Sequence, residues 1–379
     1  MIRNYLTTAL RALWRSKSST LINISGLTLG ITASLILFLL VRDQEGYENY
    51  HINRDRVFRV VSSSLGNEGR NYSAGVPAVL PEAVRTDFPE AEQVVFTSFR
   101  SGGLVTIPVG QDESKKFDGR RLVYTQPAVF QLFDRTITGG TAAALNDPNN
   151  ALISYRAAEQ YFGQTDVIGK TLIFEGHDFK VAGLVSDPPA NTDFGFDVFL
   201  SYVTIRQKQE ENGWNSIWSD EQCYVLLRPD ASIEAFSGRF PAFATKYHGK
   251  NIEDRQYSLQ PLADIHFDER YGNYNYSTTS REMLLALSII GIFLVLTACI
   301  NFINLVTAES IKRSKEVGIR KTLGSSRGQL MVQFLGESGL VTLIAVGLSL
   351  AVAQMVLGFL NPILGMSLHM NFLSDAGLW

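Results

Sequence analysis

The chain has 379 residues, 45% of them hydrophobic and 19% charged, with a net charge of −3. That length predicts more than one folding unit, and so ordinary a composition excludes a chain that is apolar throughout, so any membrane segments must be local. The two cysteines, Cys223 and Cys299, fall in segments of different character and give no disulfide framework.

The charge is unevenly spread. Residues 1–20 carry four cations and no anion, and residues 309–328 carry six cations against two anions. Arg42 to Glu282 carries 24 cations against 33 anions. Short basic segments mark the cytoplasmic side of a membrane, whereas long domains cross it largely regardless of charge. The basic ends are therefore expected inside and the acidic middle outside.

Met1 to Lys17 places Ile2, Leu6, Leu10, Leu13 and Trp14 on one helical face, interleaved with Arg3, Arg11, Arg15 and Lys17. This predicts an amphipathic helix at the cytoplasmic membrane interface over residues 1–20. Residues 21–41 follow without a charge and are long enough to span a bilayer. A secretory signal peptide is the rival reading. Its apolar region is usually only about 7–15 residues, and Arg42-Asp43-Gln44-Glu45 stands where a small-residue cleavage site is needed. Gly26, Gly30 and Ser34 recur every fourth residue, a seam along which another helix can approach closely. Glycines merely tolerated in a lipid-facing helix are the alternative.

Residues 42–282 hold no run long enough to cross a membrane. Strand-like pieces (Arg56 to Val61, Thr171 to Glu175, Phe179 to Val185, Gln222 to Arg228) alternate with helix-like ones (Pro77 to Phe88, Ser154 to Phe162, Ile233 to Tyr247). Gly176-His177 reads as a hairpin turn and Ser154 as a helix N-cap. Without a regular βαβ repeat the class is α+β, in one or two subdomains.

Two near-motifs fall short. Gly163-Gln-Thr-Asp-Val-Ile-Gly169-Lys170-Thr171 has five residues between its glycines where a phosphate-binding loop needs four. It also runs from helix to strand, the reverse of the order that aims N–H groups at phosphate. Gly336-Glu-Ser338-Gly339-Leu340 lacks the final glycine of a nucleophile elbow. The histidines at 51, 177, 248, 266 and 369 show no ligand spacing. Neither a cofactor, a metal nor a catalytic residue is expected.

A second uncharged run covers residues 283–308, a basic loop 309–329, a third apolar run 330–360, and residues 361–379 begin an extracytoplasmic loop. The overall class is an α-helical membrane protein with three transmembrane helices and a large inserted α+β extracytoplasmic domain over 42–282. Lys315 to Leu323 can form about two helical turns ended by Gly324, with Ser326 and Gln329 at capping-box spacing beyond it. Val317, Ile319 and Leu323 offer an apolar contact, flanked by Lys315, Arg320 and Lys321. A solvated basic loop drawn to anionic headgroups is the alternative. Asn301 and Asn304 share one face of the second span, where buried amides need partners on another helix. A polar substrate path is the sharper reading of that pair. Glu337, two turns into the third run, is expected in an interfacial ion pair; a charge deeper in lipid is functional by default.

Cys299-Ile-Asn-Phe-Ile-Asn-Leu-Val-Thr-Ala308, Lys315-Glu316-Val317-Gly318-Ile319-Arg320-Lys321, Leu323-Gly324 and Gln333-Phe-Leu-Gly-Glu337-Ser338 resemble the signature of FtsX/MacB-type ABC transporter permeases. Ile22-Asn-Ile-Ser-Gly-Leu-Thr-Leu-Gly30 resembles that family's first membrane helix. Tyr161-Phe-Gly163 and Ile168-Gly-Lys-Thr171 resemble its periplasmic core domain. The resemblance implies a multi-pass protein of the bacterial inner membrane that lacks its own ATPase and couples to a separate ATP-binding subunit. Residues 315–321 and Leu323 would form the contact. It further implies a dimer or pseudo-dimer of permease units and a periplasmic adaptor as a further partner, with membrane lipids around it and no nucleic acid. The family unit has four membrane helices, so this chain reads as a fragment. Transmission of ATP hydrolysis for export or membrane extraction is the favoured function. The alternative is a sensor that controls a periplasmic enzyme without moving substrate.

The charge pattern fixes a topology that labelling can check. With cysteines at positions 232 and 314 in a background without Cys223 and Cys299, an impermeant thiol reagent on intact cells should label 232 and spare 314. The opposite pattern overturns the assignment.

Overall fold

The computed structural model describes residues 17–110, 113–249 and 255–364, with Met366, Leu368 and Met370, though not the side chains of Glu316 and Leu364. The helix expected over residues 1–20 lies outside them up to residue 16. The chain forms two compact units, Gly46–Ser280 and a second made of the segments on either side.

The second unit is helical. Helix α1 runs Lys17–Glu45. In the first unit come α2 (Leu80–Asp87), α3 (Val129–Leu132), α4 (Tyr155–Phe162), α5 (Arg206–Glu210), α6 (Ile233–Gly238) and α7 (Phe240–His248). The helical unit resumes with α8 (Arg281–Lys312), α9 (Ser314–Thr322) and α10 (Arg327–Leu364). Among the described residues three helices are long and apolar enough to cross a membrane: α1, α8 and α10. Each is longer than the uncharged run within it, because helical hydrogen bonding continues into the charged flanks at Arg42 and Lys312. The basic segment 309–329 is accordingly mostly helix rather than loop.

Helix α1 is shared by the other two. Leu27, Ala298 and Ala345 meet in one apolar cluster, and Leu39 packs with Ala353 and Leu357 in another. The Thr28 and Thr32 hydroxyls donate to the carbonyls of Ala345 and Ser349, at 3.4 and 3.2 Å. Elsewhere these helices are apolar and exposed, as at Ile289, Phe293, Ile300 and Phe359, the surface a lipid-facing helix needs.

The first unit is built on thirteen strands among the described residues. They are β1 (Val57–Gly66), β2 (Gly69–Ser73), β3 (Ala91–Arg100), β4 (Leu104–Pro108), β5 (Ser114–Asp118), β6 (Leu122–Thr125), β7 (Ile137–Gly139), β8 (Asn150–Ser154), β9 (Thr171–Phe174), β10 (His177–Val185), β11 (Val198–Ser201), β12 (Glu221–Leu227) and β13 (Gln256–Pro261). They pair in one continuous sheet in the order β13-β1-β12-β3-β6-β11-β8-β10-β9-β4-β5, with β2 added to β1 and β7 to β10. Pairing is antiparallel except for β8 with β10 and β6 with β11.

Both faces of the central strands are covered, so alternation disappears from their sequences. In β12, Cys223, Val225 and Leu227 join Phe88, Phe236 and Phe240 on one face. Tyr224 and Leu226 join Phe133, Phe194 and Phe196 on the other. Local signals hold where expected. Ser154 accepts from the Ala157 N–H and caps α4, and Gly163 ends it at φ 69°. The β9–β10 hairpin is present, with its turn at Glu175 and Gly176 (φ 49° and 80°), one residue before the expected Gly176-His177, and His177 opens β10. The helix expected over Ile233 to Tyr247 is two, broken at Arg239 before Pro241, which starts the second.

A buried polar network joins the two ends of this unit to its centre. Glu48, at φ 57°, accepts from the N–H of Asp193 and the hydroxyl of Thr192, and lies 2.6 Å from His51 Nε2. Asp193 accepts from Asn273 and Asn275 and lies 3.3 Å from His266 Nδ1. Burial raises the Glu48 carboxyl above its ordinary value, against the lowering effect of His51. Deeper in, fully buried Arg59 donates to Gln222, Gln260 and the carbonyl of Gly272.

His248, bonded to the Tyr257 hydroxyl at 2.7 Å beside Trp214, is held down to about 4 by burial and by Arg255. A depressed histidine contributes stability that is fully present above its ordinary value of 6.5 and lost as the pH falls towards 4, because the unfolded chain takes the proton first. Raised Glu48 acts in the opposite sense, so the comparison must be between variants. In residues 46–280, His248→Asn should flatten the fall in melting temperature between pH 6.5 and 4. Parallel wild-type and variant profiles refute this.

Candidate coupling site

Helix α9 is joined to α8 by the single residue Arg313, at φ −86° and ψ 0° within the right-handed helical region. Its far end closes on Gly324 at φ 100°, with the Leu323, Gly324 and Ser325 amides donating to Ile319, Lys321 and Arg320 carbonyls. Ser326 and Gln329 then exchange bonds: the Ser326 N–H reaches the Gln329 side chain, and the Gln329 N–H reaches the Ser326 hydroxyl. This reciprocal cap starts α10.

On α9, Ile319 is 62% and Leu323 81% exposed, and Lys315 and Lys321 are exposed beside them. Gly318 has open space where a side chain would stand. Val317 is half-buried. Arg320 differs from its expected place at the rim: its Nη1 donates to Gln333 Oε1 of α10 at 3.0 Å.

Arg313 is the residue that spacing arguments passed over. Its guanidinium donates to Glu309 in the last turn of α8 and, at 2.7 Å, to Glu337 on α10. The Glu309-x-x-x-Arg313 spacing was the available signal. Glu337 is 8% exposed and also accepts from Gln333. The Ser19 hydroxyl of α1 donates to Glu309 at 3.3 Å. Arg313, Glu309 and Glu337 border a cavity of about 70 Å³ between the three long helices, whose wall includes Asn23, Phe302 and Val341.

The seam on α1 lies against α8. A Cβ on Gly30 would stand 2.6 Å from that of Ala298, and one on Gly26 3.2 Å from the Asn301 amide nitrogen. Ser34 faces Gly291. Asn301 and Asn304 are both exposed in the single chain, and Asn301 stands beside the seam at Gly26.

The near-motif at Gly163 is otherwise engaged. The Gly169 amide donates to Val181 and the Lys170 amide to Val167, so neither points at a ligand. Gly336 to Leu340 lies inside α10, without the turn that exposes a nucleophile.

Residues 20–243 match the MacB-like periplasmic core domain, and residues 288–376 the FtsX-like permease C-terminal domain. This chain belongs to the FtsX/MacB-type permease family. The permease is 21% identical over 93% of its length to the pyoverdine export ATP-binding/permease protein PvdT of Pseudomonas syringae, covering 53% of that protein. It is 25% identical over 68% of its length to the macrolide export ATP-binding/permease protein MacB of Neisseria meningitidis, covering 43%. A domain of a putative permease protein from Porphyromonas gingivalis aligns with 63% of the chain at 19% identity and a TM-score of 0.49, covering 99% of that domain. The permease spans about half the length of the curated relatives it matches.

Close approach at Gly30 can be tested directly. Gly30→Leu should force α1 from α8 and cost about 1–3 kcal/mol, as overpacking does, read as a lower melting temperature of the detergent-solubilised permease. A substitution to leucine at lipid-exposed Leu29 is no change, so Leu29→Ile serves as the control, with little effect. An unchanged melting temperature for Gly30→Leu disproves the contact.

Proposed function

We propose that this permease is the transmembrane part of an ABC transporter of the bacterial inner membrane. In this reading α9 lies in the cytoplasm and Gly46–Ser280 in the periplasm. A cytoplasmic ATP-binding partner subunit docks on α9, and its nucleotide cycle is passed through the long helices to the periplasmic domain, for export or membrane extraction of a substrate. Two permease units act together as a dimer or pseudo-dimer, with a periplasmic adaptor as a further partner.

The observation that carries this reading is the exposed apolar surface of Ile319 and Leu323 on a short, capped helix between two long ones. A connector has no use for two bare aliphatic side chains at 62% and 81% exposure, whereas a docking surface does. Buried apolar area would supply the affinity, at about 25 cal/mol per Å² before association costs. Lys315 and Lys321 would act on association rate and its salt dependence. The relatives named as ATP-binding/permease proteins support the pairing of such a membrane part with an ATPase.

Ile319→Asp places a charge in the docked face. In the full-length protein with its ATPase, it should abolish co-purification and permease-stimulated ATP turnover while leaving membrane insertion normal. Lys321→Ala should give a milder loss, confined to low salt. If Ile319→Asp leaves both readouts unchanged at normal protein level, α9 is a connector and the reading fails.

A further inference from the structure

The polar cluster at the foot of the three long helices does more than hold α9 in place. A chain of hydrogen bonds runs from Arg320 on α9 to Gln333 and Glu337 on α10, then to Arg313, to Glu309 on α8, and to Ser19 on α1. The three long helices are therefore tied through the Arg313 guanidinium, and α9 joins them through that of Arg320. Arginine suits this because its planar fork serves two acceptors at once, with charge-assisted bonds.

The cavity beside the fork holds a second acceptor. Asn23 of α1 is 4% exposed, and its Oδ1 is buried with no hydrogen-bond partner among the described residues. It lines the same cavity as Arg313, Glu309 and Glu337. A buried acceptor without a protein donor is a place where a moving donor is received favourably. The cavity, about 70 Å³, exceeds the roughly 30 Å³ share of one water molecule, which is room for a guanidinium branch to change position.

We propose that Arg313 is a two-position switch. In the arrangement seen, one branch of the fork holds Glu337 and so binds α8 to α10. In the other, that branch moves to Asn23 Oδ1 and binds α8 to α1, releasing α10. Glu309 keeps the other branch throughout. A push on α9 pulls Gln333 through Arg320, and Gln333 carries Glu337 with it, which is the event that frees the fork. Moving the branch exchanges a charge-assisted bond to Glu337 for one to a neutral amide oxygen, so the arrangement seen is the resting one and work done on α9 is needed to reach the other. Arg313 is thereby a positioning residue for transmission, not for docking.

This inference rests on α9 being the ATPase contact, and the test separates the two. The full-length permease is reconstituted with its ATPase in lipid nanodiscs, reading partner co-purification and permease-stimulated ATP turnover. Asn23→Leu removes an acceptor that takes no bond from the described residues in the arrangement seen. It should retain co-purification and lower stimulated turnover about tenfold, a typical coupling between sites. Asn23→Asp should do the same by trapping Arg313 in the second position, and it keeps the test valid if the leucine variant does not fold. Arg313→Gln and Glu337→Gln should each lower turnover by a similar factor, and their combination should be no worse than either. Full turnover in a folded Asn23 variant overturns the switch, since a fixed Arg313–Glu337 brace would be indifferent to Asn23. Loss of co-purification in Arg313→Gln also overturns it, by making Arg313 part of the docking surface. Silent Ile319→Asp instead defeats the docking reading itself.

Discussion

A helix in lipid gains nothing by hiding apolar side chains, so its packing rests on close approach and on hydrogen bonds between helices. α1 answers this constraint twice, on two faces. Towards α8 it is smooth at Gly26 and Gly30, and the fit at Ala298 leaves no space for a methyl group. Towards α10 it presents Thr28 and Thr32, whose hydroxyls reach backbone carbonyls. α8 and α10 are thus assembled around α1, and the polar cluster of Arg313, Glu309 and Glu337 depends on that assembly to bring its members within bonding distance.

The exterior unit solves a different problem. Its chain enters at residue 46 and leaves at residue 280, and both ends need to be fixed to the same body. Glu48 does this for the entry and Asp193, through His266, Asn273 and Asn275, for the exit. Such a junction has an energetic cost, because two carboxylates are nearly excluded from water, and it is offset by the number of donors aimed at them. Arg59 follows the same logic with neutral acceptors.

Much of this plan was legible in the sequence, for physical reasons. The long helices announce themselves by length and lack of charge, which need no knowledge of partners. The caps at Ser154 and Ser326 and the turn at Glu175-Gly176 are local, set by a few adjacent residues. Illegible features were those that depend on distant pairs. His51 and His266 look scattered along the chain, yet each faces a carboxylate of one buried network. Arg320 reads as a free rim charge until Gln333 of the next helix is placed beside it. Asn23 looks like any small polar residue in an apolar run, and only the packed structure shows that its Oδ1 lacks a donor among the described residues. The expectation of one or two subdomains could not be narrowed, because strand pairing order is not a local property.

The unbroken sheet has a mechanical meaning. From β13 to β9 every neighbouring strand is joined by a hydrogen-bonded ladder, with a single bridge from Ile173 of β9 to Thr106 of β4, and helices cover both faces of its centre. Bending such a body requires many ladder bonds to stretch together, whereas a seam between two subdomains would open at the cost of a few side-chain contacts. A load applied at the Glu48 and Asp193 junction is therefore spread over strands β13 to β9 as rigid rotation, while the β4–β5 hairpin beyond the single bridge can turn separately.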